Sequence, residues 1–263
     1  MYEYHKDKSR YFQFTCQTTT EHIIPFIKSH RDIKANSNIL EIGCGEGGVL
    51  QAFLDEGHQC VGIELSPSRA EKAKELMADA VASGRLELIA KNIYDIDYER
   101  DIDFRFDIVI LKDVIEHIHD QAKFMAHLKH FLNPGARIFF GFPPWQMPFG
   151  GHQQICKSKF LTVFPYYHML PMGIYKAILS VGKESERTIE ALEEIKETGI
   201  SIERFEKIVK ENNYKIGKRQ HYLFNPIYEH KFGVKPRKQV GLISAIPYIR
   251  NFVTSAAYYI IEQ

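Results

Sequence analysis

The 263-residue sequence has only four cysteines, Cys16, Cys44, Cys60 and Cys156, and no two form a C-x-x-C pair. This spacing excludes a disulfide framework and a paired-thiol redox or zinc motif, and it predicts free thiols in a reducing, cytoplasmic setting. The N-terminal MYEYHKDKSR lacks the apolar core of a secretory signal, so export is not expected. No uninterrupted apolar run is long enough to span a bilayer. The nearest candidate, residues 241 to 261, is broken by Pro247, Arg250 and Asn251 and reads as a helix followed by a strand. Neither sign of charge dominates: 34 Lys and Arg face 33 Asp and Glu, giving +1, with no global field to draw in nucleic acid or anionic lipid. Local basic clusters, Lys157 with Lys159, GKRQH at 217–221 and KPRK at 235–238, fall short of a basic stripe and read as solvated surface. Internal repeats and low-complexity tracts are also missing.

What is present fits an ordinary globular chain, 44% hydrophobic and 25% charged, long enough for one large α/β domain with insertions or for two small ones. Strands alternate with helices. The run 39–42 ends in glycines, and Val49, Leu50, Phe53 and Leu54 then recur at helical spacing up to Gly57. Residues 60–64 form a second strand, and Ser66-Pro67 starts a helix, the serine as a cap and the proline pre-set for the first turn. Residues 86–90 make a third strand. The continuously apolar 106–111 suits a fourth, buried on both faces of a parallel sheet. A helix opens after Asp120 and stops at Pro134-Gly135, and residues 136–142 form strand five. Strands six and seven fall at 214–224 and 252–261.

The expected architecture is therefore an α/β, Rossmann-like, seven-stranded, mostly parallel sheet with helices on both faces. Its segments are an N-terminal helical cap (1–34), a cofactor-binding core (35–145), a proline- and aromatic-rich insertion after strand five (146–200), and a C-terminal completion of the sheet (201–263). Ligands in such sheets sit outside the carboxyl ends of the strands. The cap, with Tyr11-Phe12 and the Ile23, Ile24, Phe26, Ile27 cluster, is expected to fold over the cleft. Deleting residues 1–20 then weakens cofactor binding.

The stretch NILEIGCGEGG at 38–48 spells two loops at once. Gly43-x-Gly45-x-x-Gly48, with Glu64 about 20 residues on, satisfies a dinucleotide fingerprint. The same residues place Glu41 before Gly43, Gly45 and Gly47, which resembles motif I of the class I S-adenosylmethionine-dependent methyltransferases. Four more stretches resemble that family: VGIELSP around Glu64, KNIYD at 91–95, LKDVIEHIHD at 111–120, and LNPGARIFFGFP at 132–143. A weaker echo follows at 201–216. The loop lacks the Gly-Lys-Ser/Thr ending of a nucleoside triphosphate site.

The resemblance implies S-adenosylmethionine as cofactor, held by Glu41, Gly43, Gly45, Gly47, Glu64, Leu65, Asn92, Ile93, Leu111 and Asp113. Glycines let the cofactor lie against backbone, and Glu64 would hold the ribose. Asn92 stands where many members have Asp, so an amide oxygen would meet the adenine amino group, unless it is a plain turn residue. Glu41 would anchor the turn or a water near the cofactor ammonium, or serve only as a satisfied strand residue.

The reaction implied is in-line displacement, with an acceptor attacking the sulfonium methyl and a base needed only where the nucleophile carries a proton. His152, in the turn after strand five, is the first candidate base and His117 the second. A histidine bonded to a backbone carbonyl is the structural alternative. On a helical turn Asp113, Glu116 and His117 fall at i, i+3 and i+4 and can face one point. This D-x-x-E-H looks like the E-x-x-E-H metal segment of the ubiquinone-pathway O-methyltransferases and the small-RNA 2′-O-methyltransferases, which implies a divalent cation such as Mg²⁺. Metal-free members keep Glu-His here as a helix-start feature, and both readings stay open. Tyr11, Trp145, Phe149, Tyr166 and Tyr167 are expected to line the acceptor pocket.

Three functions follow from this reading. The first is methyl transfer to an O or N of a small-molecule or lipid-linked acceptor; the second is metal-assisted RNA 2′-O-methylation; the third is a non-catalytic cofactor-binding module. Nucleic acid is not the expected partner, and spacing does not choose an oligomeric state or a role for residues 226–250.

Overall fold

The computed structural model describes residues 7–97, 100–102 and 104–263; residues 1–6 of the expected cap lie outside them. The chain opens with α1 (Lys8–Thr18), capped by the Asp7 side chain on the Arg10 amide at 3.0 Å. A π turn over Thr19–Ile23 leads into α2 (Ile24–Lys28). Then β1 (Asn38–Ile42), α3 (Gly48–Asp55), β2 (Gln59–Ile63), α4 (Pro67–Leu76), α5 (Ala78–Ala82), β3 (Leu86–Ile89) and β4 (Phe106–Lys112) alternate as their apolar periods require. After α6 (Gln121–Leu128) and β5 (Leu132–Phe142) come α7 (Lys159–Val163), α8 (Met172–Val181), α9 (Glu186–Thr198) and α10 (Ile202–Glu211). The chain closes with β6 (Lys215–Phe224), α11 (Tyr228–Phe232), β7 (Arg237–Lys238), α12 (Gly241–Ala245), α13 (Ile249–Phe252) and β8 (Ala256–Glu262).

The strands form one sheet in the order β3-β2-β1-β4-β5-β8-β6-β7. β1 to β5 are mutually parallel, while β8 runs antiparallel to both β5 and β6. The fold is thus the α/β, mostly parallel, Rossmann-like arrangement expected, with eight strands where seven were counted. The extra one, β7, is two residues paired to the outer side of β6, too short to carry an apolar period. Residues 241–261 form helices and a strand, and among the described residues no helix is long and apolar enough to cross a membrane.

Two local expectations are corrected. The helix after Asp120 ends before Pro134-Gly135: Leu132 already pairs with Phe106, and the register then jumps to Ile108 with Arg137, so Pro134 and Gly135 occupy an irregularity inside β5. Proline lacks the ladder donor, which a bulge tolerates. Ser66 precedes α4, but its hydroxyl meets Ser68 Oγ at 3.1 Å instead of capping a helix amide.

Burial follows position in the sheet. β1 and β4 lie inside the sheet, and Ile39, Leu40, Ile108, Val109 and Ile110 are fully buried, each contributing about 1.5–3 kcal/mol through lost apolar exposure. Two apolar clusters cover the two faces of the sheet, and a third lies apart within residues 156–192, built on Cys156, Leu161, Tyr167, Tyr175, Leu179 and Leu192. β1 pairs with β2 on one side and β4 on the other, so chain order reverses between β1 and β4. At that reversal the carboxyl ends diverge and leave a crevice.

Candidate functional site

The glycine loop fills the β1 side of the crevice. Gly43, Gly45 and Gly47 have φ of +70°, +55° and +85°, and a Cβ on Gly43 would lie 2.7 Å from Val114. Only glycine takes this path without strain. Gly43 N–H donates to the Ile63 carbonyl at 2.7 Å, and Gly45 N–H to Glu64 Oε2 at 2.8 Å, while Glu64 Oε1 accepts from Ser66 N–H at 2.9 Å. Glu64 thereby ties the loop to the end of β2. Arg69, from α4, lies across Gly45 and binds Glu46 through Nη2–Oε2 at 3.0 Å, with Glu64 3.8 Å from its Nη1. Lys8 reaches Glu46 from α1, and Gly48 packs so closely on α1 that a Cβ would sit 2.5 Å from the Phe12 carbonyl oxygen. Here the first helix is fastened to the loop.

A cleft of about 190 Å³ results, lined by Glu41, Gly43, Cys44, Glu46 and Gly47 from the loop, Tyr11, Phe12 and Thr15 from α1, and Arg69, Lys112 and Asp113. Glu41 forms part of its floor, 3% exposed, with Oε2 unpartnered. Burial pushes its pKa well above the usual carboxylate range, with Lys112 opposing.

The β4 side carries a charged pair. Lys112 Nζ meets Asp113 Oδ2 at 2.5 Å, with Lys112 nearly buried and Asp113 open to the cleft. Burial opposes the charge of both, yet their mutual attraction holds Asp113 below and Lys112 above their ordinary values. The expected helical turn from Asp113 is not what forms. Asp113 takes φ +56°, which bends the chain before a single 3₁₀ turn, Ile115–His117. Consequently the carboxylate of Asp113 faces Lys112, and beside it the potential donors of Glu116, His117 and His152 come within 4.8 Å of one another.

His152 belongs to the turn after β5. It has φ +52°, and its ring centroid is 5.0 Å from that of His117. The turn depends on Gly150 and Gly151, whose Cβ atoms would strike the Trp145 carbonyl at 2.1 Å and His168 at 2.3 Å. Burial lowers the His152 pKa to about 4, with His117 adding to the effect, and its Nδ1 lacks a partner. Glu116 is 3% exposed, neither of its oxygens accepts a hydrogen bond, and burial followed by repulsion from Asp113 pushes its pKa well up. One carboxylate and two imidazoles are donors that a borderline divalent cation accepts.

A second cavity, about 410 Å³, adjoins the first: both are lined by Tyr11 and Asp113. Its walls are Pro143, Met147, Phe149, His152 and Gln154 after β5, Thr162 and Val163 of α7, Asn225, Ile227, Tyr228, Lys231 and Phe232 in and before α11, and Ser255. Lys231 lies 4.9 Å over the Tyr11 ring, and burial lowers its pKa.

The other anticipated residues have different surroundings. Leu111 and Ile93 are buried in the core, Leu65 is 69% exposed beside Glu64, and Asn92 Oδ1 accepts from Tyr94 N–H at 3.1 Å as a turn cap. Of the aromatics, Tyr11 and Phe149 line the second cavity. Trp145 packs on His168 and Gly199, Tyr167 lies in the third apolar cluster, and the Tyr166 hydroxyl donates to the Phe252 carbonyl at 3.1 Å. Arg69, Glu46, Lys112 and Lys231 were not anticipated. Lys112 alone left a trace, as a charge ending the apolar run FDIVILK.

A parallel sheet with a glycine loop and buried acids at its reversal point defines a protein built to hold a nucleoside-type cofactor. Residues 17–153 match the family described as "Methyltransferase domain", and the chain belongs to that family. It is 27% identical over 152 residues to a chloroplastic tocopherol O-methyltransferase of Arabidopsis thaliana, covering 52% of this chain and 42% of that one. Norajmaline N-methyltransferase of Rauvolfia serpentina is 35% identical over 109 residues, 40% of this chain and 35% of its own length. The chain spans less than half the length of these relatives. An S-adenosylmethionine-dependent methyltransferase of Clostridium acetobutylicum has the same fold at a TM-score of 0.55 and 12% identity, covering 94% of this chain and 91% of its own. The magnesium protoporphyrin IX methyltransferase of Synechocystis, solved with bound S-adenosylmethionine, aligns at 0.52 and 13% identity over 95% of this chain and 80% of its own.

Proposed function

We propose that the protein is an S-adenosylmethionine-dependent methyltransferase that moves a methyl group to an O or N of a small-molecule or lipid-linked acceptor. The observation that carries this is the pair of adjoining cavities, one floored by the glycine loop and one holding His152, with Tyr11 and Asp113 common to both. Donor and acceptor would meet at that junction. In this reading Glu41 receives the cofactor ammonium, and Glu64 turns one oxygen from the loop to the ribose hydroxyls as Arg69 yields. Leu65 would cover the adenosyl group. The relatives, a tocopherol O-methyltransferase and a norajmaline N-methyltransferase, support small organic acceptors.

Methyl transfer to a neutral hydroxyl creates an oxonium, a strong acid. A neutral imidazole with a pKa of about 4 suffices to take that proton as it leaves. A desolvated site also keeps an amine acceptor uncharged, with its lone pair free to attack. His117 would be the next stop for the proton.

Calorimetric titration with S-adenosylhomocysteine and with NAD tests the donor site, and labelled S-adenosylmethionine with phenol and amine acceptors tests transfer. Binding of NAD alone would overturn the reading.

A second reading adds a divalent cation at Glu116, His117 and His152, favoured by the unpartnered oxygens of Glu116. The donor set suits Zn²⁺ or Mn²⁺ better than Mg²⁺. There, the cation would neutralise the acid and lower the pKa of an acceptor hydroxyl, and His152 would be a ligand instead of the base. Manganese titration of the protein and of Glu116→Gln decides: equal heats dismiss the cation.

A further inference from the structure

The near-zero net charge hides a strongly asymmetric distribution. No Asp or Glu occurs between Asp120 and Glu184, and none between Glu229 and Glu262. These two acid-free segments meet in space. Tyr166 donates to the Phe252 carbonyl at 3.1 Å, and the two rings lie 6.3 Å apart. Around that contact the segments expose large apolar side chains: Phe160 is 66% exposed and Val163 57%, while Leu242, Tyr248 and Ile249 reach 76%, 70% and 57%. Val163 also lines the larger cavity, as do Phe149 and Phe232, which are 42% and 47% exposed, so the apolar surface continues into the mouth of that cavity.

Basic residues lie in the same segments. Lys157, Lys159, Lys235, Arg237 and Lys238 are exposed, and no ion pair engages any of them among the described residues. A protein partner fits this poorly, because lysine is depleted from protein interfaces. A bilayer surface accepts both features, apolar side chains in the acyl boundary and cations among anionic headgroups.

We propose that the rim formed by residues 157–166 and 232–252 is a docking surface for a membrane containing anionic lipid, and that it delivers the acceptor to the cavity from the bilayer. Delivery rests on the proposed acceptor site; docking does not.

Vesicle flotation tests it with the full chain, using phosphatidylcholine alone and with added phosphatidylglycerol. The protein floats with the anionic vesicles and is released by high salt. Lys157→Gln with Lys159→Gln reduces partition about 30-fold, taking roughly five-fold per lost charge, and Phe160→Ser or Leu242→Ser reduces it at least about ten-fold each. Retained S-adenosylhomocysteine binding shows that these variants are folded. If the parent floats but binds no S-adenosylhomocysteine, the donor reading fails and the docking surface stands; folding of the variants is then read from their thermal melts. Failure to float with anionic vesicles, equal partition of variants and parent, or a dimer in light scattering that leaves vesicles unbound would each overturn the proposal.

Discussion

The two cavities that share Tyr11 and Asp113 are built in opposite ways. The loop side draws largely on one stretch of chain, residues 41–49, whose glycines, amides and two acids are fixed by covalent neighbourhood and by Glu64. The other side is assembled from segments around residues 11, 113, 149, 162, 228 and 255, which only the tertiary fold brings together. The first cavity is shaped around a glycine backbone, and the second has no glycine in its lining. A family can therefore keep one and vary the other, since loop substitutions strain the main chain whereas wall substitutions only change shape and polarity.

Breaking the backbone side gives the largest effect. Gly43→Val forces a β-branched residue into φ +70° with its Cβ 2.7 Å from Val114, a strain of about 1–3 kcal/mol before any clash with ligand. Affinity for S-adenosylhomocysteine falls at least about 100-fold by calorimetry, while circular dichroism keeps the α/β spectrum. Undiminished affinity would mean that the donor does not lie on this loop.

The converse experiment leaves the loop alone. His152→Gln preserves a polar side chain in the larger cavity and removes the proposed base. Turnover of a hydroxyl acceptor falls about 10²- to 10³-fold with unchanged S-adenosylhomocysteine affinity, whereas an amine acceptor, needing no base before attack, loses much less. If both acceptors slow equally, His152 shapes the cavity and does not move a proton.

The same contrast decided what could be read in advance. The glycine turn after β1 was legible because one short stretch carries its spacing, whereas the bonds from Glu64 to the Gly45 and Ser66 amides were not. β1, β2 and β4 were legible because apolar runs buried on both faces need no partner to be recognised. The Asp113 turn was misread because a left-handed residue breaks helical spacing without changing the sequence pattern. Glu116 and His152 lie 36 positions apart, and nothing local signals that their donors converge. Trp145 and Tyr167 read as pocket walls because size alone does not separate a wall from a core; Tyr167 is 2% exposed in the insertion's own cluster. β7 was invisible, since two residues have no period.

Acidity also sets the glycine-loop floor apart from histidines buried elsewhere in the fold. His168 and His221, in the insertion and β6, are almost wholly buried, and burial lowers both pKa values to about 4. The unfolded chain then binds more protons between pH 6.5 and 4, so stability is lost as pH falls through that window, by up to about 3 kcal/mol for each. On the floor of the glycine-loop cleft Glu41 has the opposite sign: burial raises its folded pKa, so the folded state binds the extra proton above the ordinary carboxylate range and regains stability as pH falls. Melting curves across pH should show His168→Gln flattening the acid limb and Glu41→Gln flattening the neutral one. A change on the same limb in both variants would break the assignment.

The smallest effect gives the finest test of the proposed donor site. Leu65 is 69% exposed beside Glu64, lines neither cavity, and has no evident structural purpose there. An exposed substitution of this kind changes stability by less than about 0.5 kcal/mol, so Leu65→Ser should melt with the parent. If the side chain folds over the adenosyl group, burying it against the ligand is worth about 1–2 kcal/mol, and S-adenosylhomocysteine affinity drops roughly five- to thirty-fold. Affinity for free methionine, which lacks the adenosyl group, should not move. Equal losses for both ligands would put Leu65 on the loop's conformation instead of the ligand, and no loss for either would extend the donor site only as far as Glu64.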